Sequence, residues 1–146
     1  MIEVRKQLVV SAGADALYAY LVVPGNIVDY VGPIRRIRPA GVSEVGAGSR
    51  LWVDVSFLGI RFTQPVECTV HQPPERFECR SVGGRFTFKA GFTLQPTALG
   101  TRLDGWGDAS APSLFRFAEP VVQFFIERQV DQDFVRLKRV LEAEVR

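Results

Sequence analysis

Three residues that bind metals or form disulfides, Cys68, His71 and Cys79, lie within twelve consecutive positions of this sequence. They are its two cysteines and its single histidine. Thiolates and imidazoles are ligands that zinc prefers, and two neighbouring thiols can instead form a disulfide. Which chemistry is available depends on where the surrounding strands and turns point each side chain.

The predicted secondary structure changes type twice along the chain. A strand over 2–10 and two short helices come first, with Ser11 capping one helix and Pro24 opening the other. From 34 to 109, alternating segments separated by glycine and proline turns predict about six antiparallel strands. The period after Pro112 is helical. The apolar stripe of this last helix consists of Ile126, Val130, Phe134, Leu137 and Leu141.

This order predicts an α+β fold, in which a curved antiparallel sheet of about seven strands surrounds a long C-terminal helix. Two short helices follow the first strand, and Pro120 is expected to kink or restart the long helix. The chain has 146 residues, and 47% of them are hydrophobic. We therefore expect a single domain over residues 1–146 that folds around one core.

Charge and hydropathy limit the partners that the sequence suggests. The net charge is +2, which is too small to indicate a nucleic acid or an anionic membrane as the partner. No apolar run is long enough for a signal peptide or a membrane-spanning helix. The sequence therefore predicts a cytoplasmic protein with no membrane insertion, and it does not indicate the oligomeric state.

The hairpin registers can be tested by arithmetic, because directly paired residues have a constant sum of positions and share a face. The turns are placed at Leu58-Gly59, Pro73-Pro74 and Gly83-Gly84, with a looser connection over 95–100. Predicted pairs on the apolar face include Val53–Gln64, Val55–Phe62, Cys68–Cys79, Val70–Phe77, Cys79–Phe88, Phe77–Ala90 and Phe92–Leu103. Predicted charge pairs on the opposite face are Glu67–Arg80 and Glu78–Lys89.

This register decides what the cysteines and the histidine can do. Cys68 and His71 are three residues apart on one strand, so they are expected on opposite faces, with His71 outside beside Arg76. One metal ion cannot use ligands from both faces, and we predict no metal site. A disulfide between Cys68 and Cys79 is geometrically allowed, but two reduced core cysteines are favoured in a cytoplasmic protein. His71 lacks a carboxylate to orient it as a base.

The apolar face of the sheet points toward the long helix and either lines a pocket or is filled by its phenylalanines. Its main polar members are Gln64 and Ser81, while Gly105 and Gly107 leave room beside the helix. The candidate ligand-binding residues are Tyr30, Val53, Val55, Phe62, Gln64, Ser81, Phe88, Phe92, Phe117, Val121 and Phe125. Patterning alone does not separate a lined pocket from a filled core.

Several segments together resemble the START-related helix-grip superfamily, in its bacterial polyketide cyclase/dehydrase-like (SRPBCC) branch. They are "AGADALYAYLVVPGNIVDYVGPI", "VGAGSRL", "HQPPERFECR", "LGTRL" and "FVRLKRVLEAEV", which span nearly the whole chain in the family's order. The resemblance implies a hydrophobic cavity between the sheet and the C-terminal helix, which takes lipids, sterols, polyketides or similar molecules. No cofactor is expected.

The resemblance implies catalysis much less than binding. Cyclases of this superfamily are expected to place cationic and polar groups inside the cavity, where they polarise a carbonyl. Here the inward positions of the fourth strand carry no arginine, because Arg61, Arg76 and Arg80 face out or lie at a turn. Gln64 is the favoured ligand-orienting group, and Tyr30 either donates a hydrogen bond to a ligand or anchors its helix.

Three hypotheses about function follow. The leading one is non-covalent binding of a small hydrophobic or amphipathic molecule. The second is a cofactor-independent cyclase or dehydratase acting on a polyketide-like substrate, with Gln64, Tyr30 or Ser81 supplying polarity. The third is a filled domain that acts through protein contacts.

Overall fold

The computed structural model describes residues 2–39, 47–57, 59–84, 86–110 and 119–144. Seven strands and three helices lie in these ranges. In chain order they are β1 (Ile2–Val10), α1 (Ala14–Leu21), α2 (Pro24–Tyr30), β2 (Ile34–Pro39), β3 (Arg50–Phe57), β4 (Ile60–Gln72), β5 (Arg76–Ser81), β6 (Thr87–Thr97), β7 (Gly100–Ser110) and α3 (Glu119–Glu144).

The strands form one antiparallel sheet in the order β1-β7-β6-β5-β4-β3-β2. The first strand therefore pairs with the last, and β2 lies at the opposite edge. Helix α3 packs against β1 and α2, and α2 packs against β2. The predicted α+β architecture, with a long C-terminal helix held against one sheet, is confirmed.

The two short helices follow the sequence signals only in part. Helix α2 begins at Pro24, as predicted. Helix α1 begins at Ala14 with Gly13 in the capping position and no side-chain cap, so the prediction that Ser11 caps it is wrong. Ser11 lies in the bend that precedes Gly13. The amphipathic interpretation of α1 is correct, since Leu17, Tyr18 and Leu21 are buried.

The hairpin of β3 and β4 has the predicted register. Val53 pairs with Gln64, and Val55 pairs with Phe62. Gly59 has a φ of +78° in the connecting turn, a conformation that glycine adopts at little cost.

The hairpin of β4 and β5 has the predicted register at Cys68–Cys79 but loses it near the turn. A β-bulge follows Cys68, so that His71 rather than Val70 pairs with Phe77. The turn between Gln72 and Arg76 has an odd number of residues, and the bulge compensates for it by adding one residue to β4. The prediction that His71 lies outside beside Arg76 is therefore wrong: His71 shares the inner face with Phe77.

The next two hairpins keep the predicted face but are displaced by two residues. Cys79 pairs with Ala90 rather than Phe88, and Phe92 pairs with Gly105 rather than Leu103. The first displacement arises because β6 begins only at Thr87, after a longer loop than a two-residue Gly83-Gly84 turn. The predicted pair of Glu78 and Lys89 is wrong for the same reason. In the structure, Glu78 pairs with Gly91, and Lys89 pairs with Arg80.

The packed core occupies one end of the inner face. It lies where α1 and the C-terminal half of α3 cover the sheet. Its buried residues are Val10, Leu17, Tyr18, Leu21, Cys68, Phe77, Leu94, Leu103, Leu137 and Leu141. The predicted apolar stripe of α3 is confirmed, with Leu137 and Leu141 buried and Ile126, Val130 and Phe134 partly buried.

Candidate functional site

The other end of the inner face is only partly covered. Val55, Phe62 and Phe88 point inward by their strand registers, yet each remains partly exposed. Ser81 and Gly107 lie on the same face of β5 and β7. We call this set, Val55, Phe62, Ser81, Phe88 and Gly107, the open half of the inner face. The aromatic ring of Phe62 also contacts that of Phe86, with centroids 4.9 Å apart.

Two glycines of β7 mark the boundary between packed and open space. A Cβ added at Gly105 would lie 2.8 Å from the ring of Phe134, so that position is already filled by α3. A Cβ added at Gly107, two residues along the same face, would lie 4.0 Å from the nearest described atoms, which belong to Ala90 and Lys89. Within the ranges given above, the described side chains therefore leave room on the inner face beside Gly107.

Gln64 is 2% exposed, and its amide is fully engaged within the chain. Its Nε2 donates to the carbonyl of Gly83 at 2.5 Å and to that of Pro65 at 3.1 Å, while Oε1 accepts from the N–H of Phe86 at 3.3 Å. These bonds hold the loop between β5 and β6 over the inner face. The buried amide predicted from the sequence thus finds its partners in the loop.

The other two predicted polar groups also have partners in the chain. The hydroxyl of Ser81 accepts from the N–H of Phe88 at 2.9 Å. The hydroxyl of Tyr30 donates to the carbonyl of Leu21 at 2.7 Å, and burial raises the pKa of Tyr30. Tyr30 thereby anchors α2 to the end of α1.

The remaining predicted residues are divided among three environments. Val53 is buried, and Phe92 packs on the core, stacked on Phe77 at a centroid distance of 5.7 Å. Val121 and Phe125 are 58% and 41% exposed, because they lie on the side of α3 turned away from Leu137 and Leu141. Phe117 is outside the described residues.

On the inner face of the sheet, His71 of β4 forms a side-chain hydrogen bond with Tyr18 of α1. Nδ1 of His71 lies 2.8 Å from the hydroxyl of Tyr18, which donates to the carbonyl of Arg76 at 3.1 Å. Burial raises the pKa of Tyr18 to about 12. His71 and Cys68 therefore share the inner face. The prediction that they lie on opposite faces, from which the absence of a metal site was inferred, is wrong. In the ranges that the structure describes, no group of three or more His, Cys, Asp or Glu side chains is placed to hold one.

The two cysteines lie opposite each other as free thiols. Cys68 is 1% exposed, and its thiol lies 3.6 Å from the carbonyl oxygen of Val70. Burial raises the pKa of Cys68, and it raises the pKa of Cys79 to about 12. Both thiols therefore stay protonated at neutral pH, as unreactive thiols do.

We expect iodoacetamide to label the native protein far more slowly than the urea-unfolded protein. The thiolate is the nucleophile, and a pKa near 12 lowers its neutral-pH fraction about a thousandfold relative to an ordinary cysteine. Intact mass spectrometry over time measures the labelling, and Cys79→Ser reports on Cys68 alone. Rapid labelling of the native protein would contradict this description of the pair.

Sequence reasoning missed an inward-facing lysine. Lys6 occupies the inner-face register of β1, opposite Gly105, and forms an ion pair with Asp131 of α3. The signal was available, because Lys6 is the one charged residue among the inward positions of β1, which otherwise carry Ile2, Val4, Leu8 and Val10. The pair joins the edge of the sheet to the helix.

A buried carboxylate that patterning did not single out also holds α3 in place. Asp133 is 8% exposed and accepts from the N–H of Gly32 at 3.2 Å and from Nε2 of Gln129 at 2.9 Å. Burial raises its pKa, and the hydrogen bonds oppose that shift. A Cβ at Gly32 would lie 2.6 Å from Nε2 of Gln129, so glycine permits this close approach between α3 and the α2–β2 connection.

These features define a class of fold: one curved antiparallel sheet whose inner face is covered by a long C-terminal helix at one end and left partly open at the other. No family model matches the sequence, and a search of curated proteins finds no significant match. Within the described ranges, no helix is long and apolar enough to cross a membrane.

Solved structures identify the fold more closely. DR_A0006 from Deinococcus radiodurans has a TM-score of 0.75 and 19% identity, covering 98% of both chains. TTHA0849 from Thermus thermophilus has a TM-score of 0.75 and 20% identity, covering 97% of this chain and 99% of that one. The di-domain ARO/CYC StfQ from the steffimycin biosynthetic pathway has a TM-score of 0.74 and 14% identity, covering 99% of this chain and 50% of that one. The chain thus has the helix-grip fold.

Proposed function

We propose that this protein binds a small hydrophobic or amphipathic molecule, lipid-like or polyketide-like, between the open half of the inner face and α3. The observation that carries the proposal is the contrast between Gly105, whose inner side is filled by Phe134, and Gly107, where no described atom lies closer than 4.0 Å to an added Cβ. A packed domain fills such space with side chains, because unfilled apolar volume costs stability. Apolar walls beside unfilled room are typical of a ligand site.

The proposed site has apolar walls and few free polar groups. Val55, Phe62 and Phe88 supply partly exposed apolar surface, with Val53 and Phe92 at the boundary with the core. The ligand is therefore selected by shape and apolar surface. Gln64, Ser81 and Tyr30, whose polar groups bond to the backbone, act by holding the loop, the strand and the helix around it.

A cyclase reaction on a polyketide is the alternative that the likeness to StfQ raises. Such a reaction needs a donor or cation that polarises a substrate carbonyl. In the described part of the open half, the hydroxyl of Ser81 is bonded to the backbone, as is the neighbouring amide of Gln64. This arrangement favours binding over catalysis.

Native mass spectrometry of the purified protein, paired with a denaturing run of the same sample, tests the proposal. We expect an excess mass that disappears on denaturation, or, for protein that carries no ligand, saturable binding of anilinonaphthalene sulfonate. Neither adduct nor saturable dye binding would refute the proposal and leave a filled domain that acts through protein contacts. The denatured mass also shows whether the cysteines are two hydrogens short of the reduced chain.

A further inference from the structure

Helix α3 has a second, outward face that the proposed ligand site does not use. We call it the outer α3 face. Its eight members recur at helical spacing and are all exposed: Val121, Phe124, Phe125, Arg128, Gln132, Val135, Arg136 and Arg139. At 100° per residue they lie on the side of the helix opposite Leu137 and Leu141.

Large apolar side chains are exposed along this face. Val121 and Phe124 are each 58% exposed, and Val135 is 62% exposed. The rings of Phe124 and Phe125 meet edge to face, with centroids 5.5 Å apart. A cluster of exposed aromatic residues on one helix face marks an interaction surface, whereas scattered exposed apolar residues do not.

The charges of the outer α3 face have a single sign. Its charged members are Arg128, Arg136 and Arg139, and the acidic Glu142 lies at its border, at the same angle around the helix as Phe124. Among the described residues none forms an ion pair with these arginines. The acidic residues beside it are engaged elsewhere. These pairs are Asp131 with Lys6 and Glu142 with Lys138.

An apolar groove continues this surface toward β1. It has a volume of about 400 Å³. Leu8, Phe134 and Val135 form its apolar part, and Arg139 lies at its rim together with the Lys138–Glu142 ion pair. Cationic groups beside exposed apolar surface complement a layer whose surface is anionic and whose interior is apolar.

We infer that the outer α3 face docks on the surface of an anionic phospholipid bilayer. Exposed aromatic and apolar side chains enter the headgroup region, and the three arginines bind lipid phosphates, as in helices that lie in the plane of a membrane. The net charge of +2 and the six acidic against four basic residues of Glu119–Glu144 are sums over all sides of the helix, so they do not indicate how the three arginines are arranged on this face. The inference goes beyond the proposed function and does not depend on it, since docking needs no bound ligand.

Cosedimentation with vesicles tests the inference. We expect the protein to bind vesicles that mix phosphatidylcholine with phosphatidylglycerol, to bind pure phosphatidylcholine vesicles much more weakly, and to be released by high salt. Replacing Arg128, Arg136 and Arg139 with glutamine should weaken binding by about fivefold per arginine, or about a hundredfold together. Phe124→Ser with Phe125→Ser should weaken it further at high salt, where the apolar contribution dominates.

A charge-matched control separates the face from the net charge. Arg35, Arg36 and Arg61 are exposed and lie away from the outer α3 face, so replacing these three with glutamine should leave vesicle binding nearly unchanged. Equal loss in both triple variants, or no binding to anionic vesicles, overturns the inference. So does a dimer, measured by light scattering, that dissociates in the double phenylalanine variant, because a second copy would then cover the face. Ligand binding is measured separately and is expected to persist in every variant.

Discussion

Gly107→Leu is expected to weaken binding of anilinonaphthalene sulfonate by more than about a hundredfold, because a misfit of one methylene in an apolar pocket costs about 10–200-fold and leucine adds four carbons. The new side chain would occupy the room beside Gly107, where the nearest described atoms lie 4.0 Å from an added Cβ. The fold should tolerate it, since Gly107 pairs with Ala90 and Val4 in an ordinary strand conformation. Fluorescence titration measures the affinity, and thermal unfolding confirms the fold.

Alanine at Gly105 and at Gly107 provides the matched comparison on one strand face. Gly107→Ala should leave stability unchanged or raise it, because glycine is a weak strand residue. Gly105→Ala should lower stability by about 1–3 kcal/mol, because its Cβ would lie 2.8 Å from the ring of Phe134. Equal destabilisation at the two positions would mean that the open half is filled, and the binding proposal would fail with it.

The sequence specifies the faces of this sheet better than its pairs. Alternation has a period of two, so a displacement by two residues leaves every side chain on its face. Cys79 therefore points inward whether it pairs with Phe88, as predicted, or with Ala90, as found. The displacement depends on the loop from 82 to 86, which is held by the amide of Gln64. Such a contact between distant residues is invisible to a local pattern.

The position of His71 shows where assigning faces from strand alternation fails. One added residue in β4 inverts every later position of the strand, and no local signal in "CTVHQPPER" indicates the bulge. The inner position of His71 is supported by Tyr18, which is 53 residues away and supplies a hydroxyl. The inward orientation of Phe62 and Phe88 was predictable, because it follows from the alternation of the strands. The hydrogen bonds of Gln64 and Ser81 to backbone groups were not predictable, because they depend on tertiary contacts.

Gln64→Leu is expected to lower the free energy of unfolding by about 3 kcal/mol, because it leaves the N–H of Phe86 and the carbonyl of Gly83 without their partner. The carbonyl of Pro65 loses one donor but keeps the N–H of Val82. In a domain of this size that corresponds to a fall in melting temperature of about 10 °C. Chemical unfolding measures the change. The exposed Gln72 of the same strand serves as the control, and Gln72→Leu should change stability by less than about 0.5 kcal/mol.

Gln64→Glu distinguishes a loop anchor from a group that orients the ligand. Glutamate keeps an acceptor for the N–H of Phe86 but turns a carboxylate toward the carbonyls of Gly83 and Pro65, so stability should fall further at neutral pH. It should partly recover as pH falls and the carboxyl gains a proton to donate. If Gln64 only anchors the loop, dye affinity should change much less than stability, provided that it is measured at a pH where each variant is folded. Normal stability with lost affinity would instead assign Gln64 to the ligand, as its buried position in the sequence pattern first suggested.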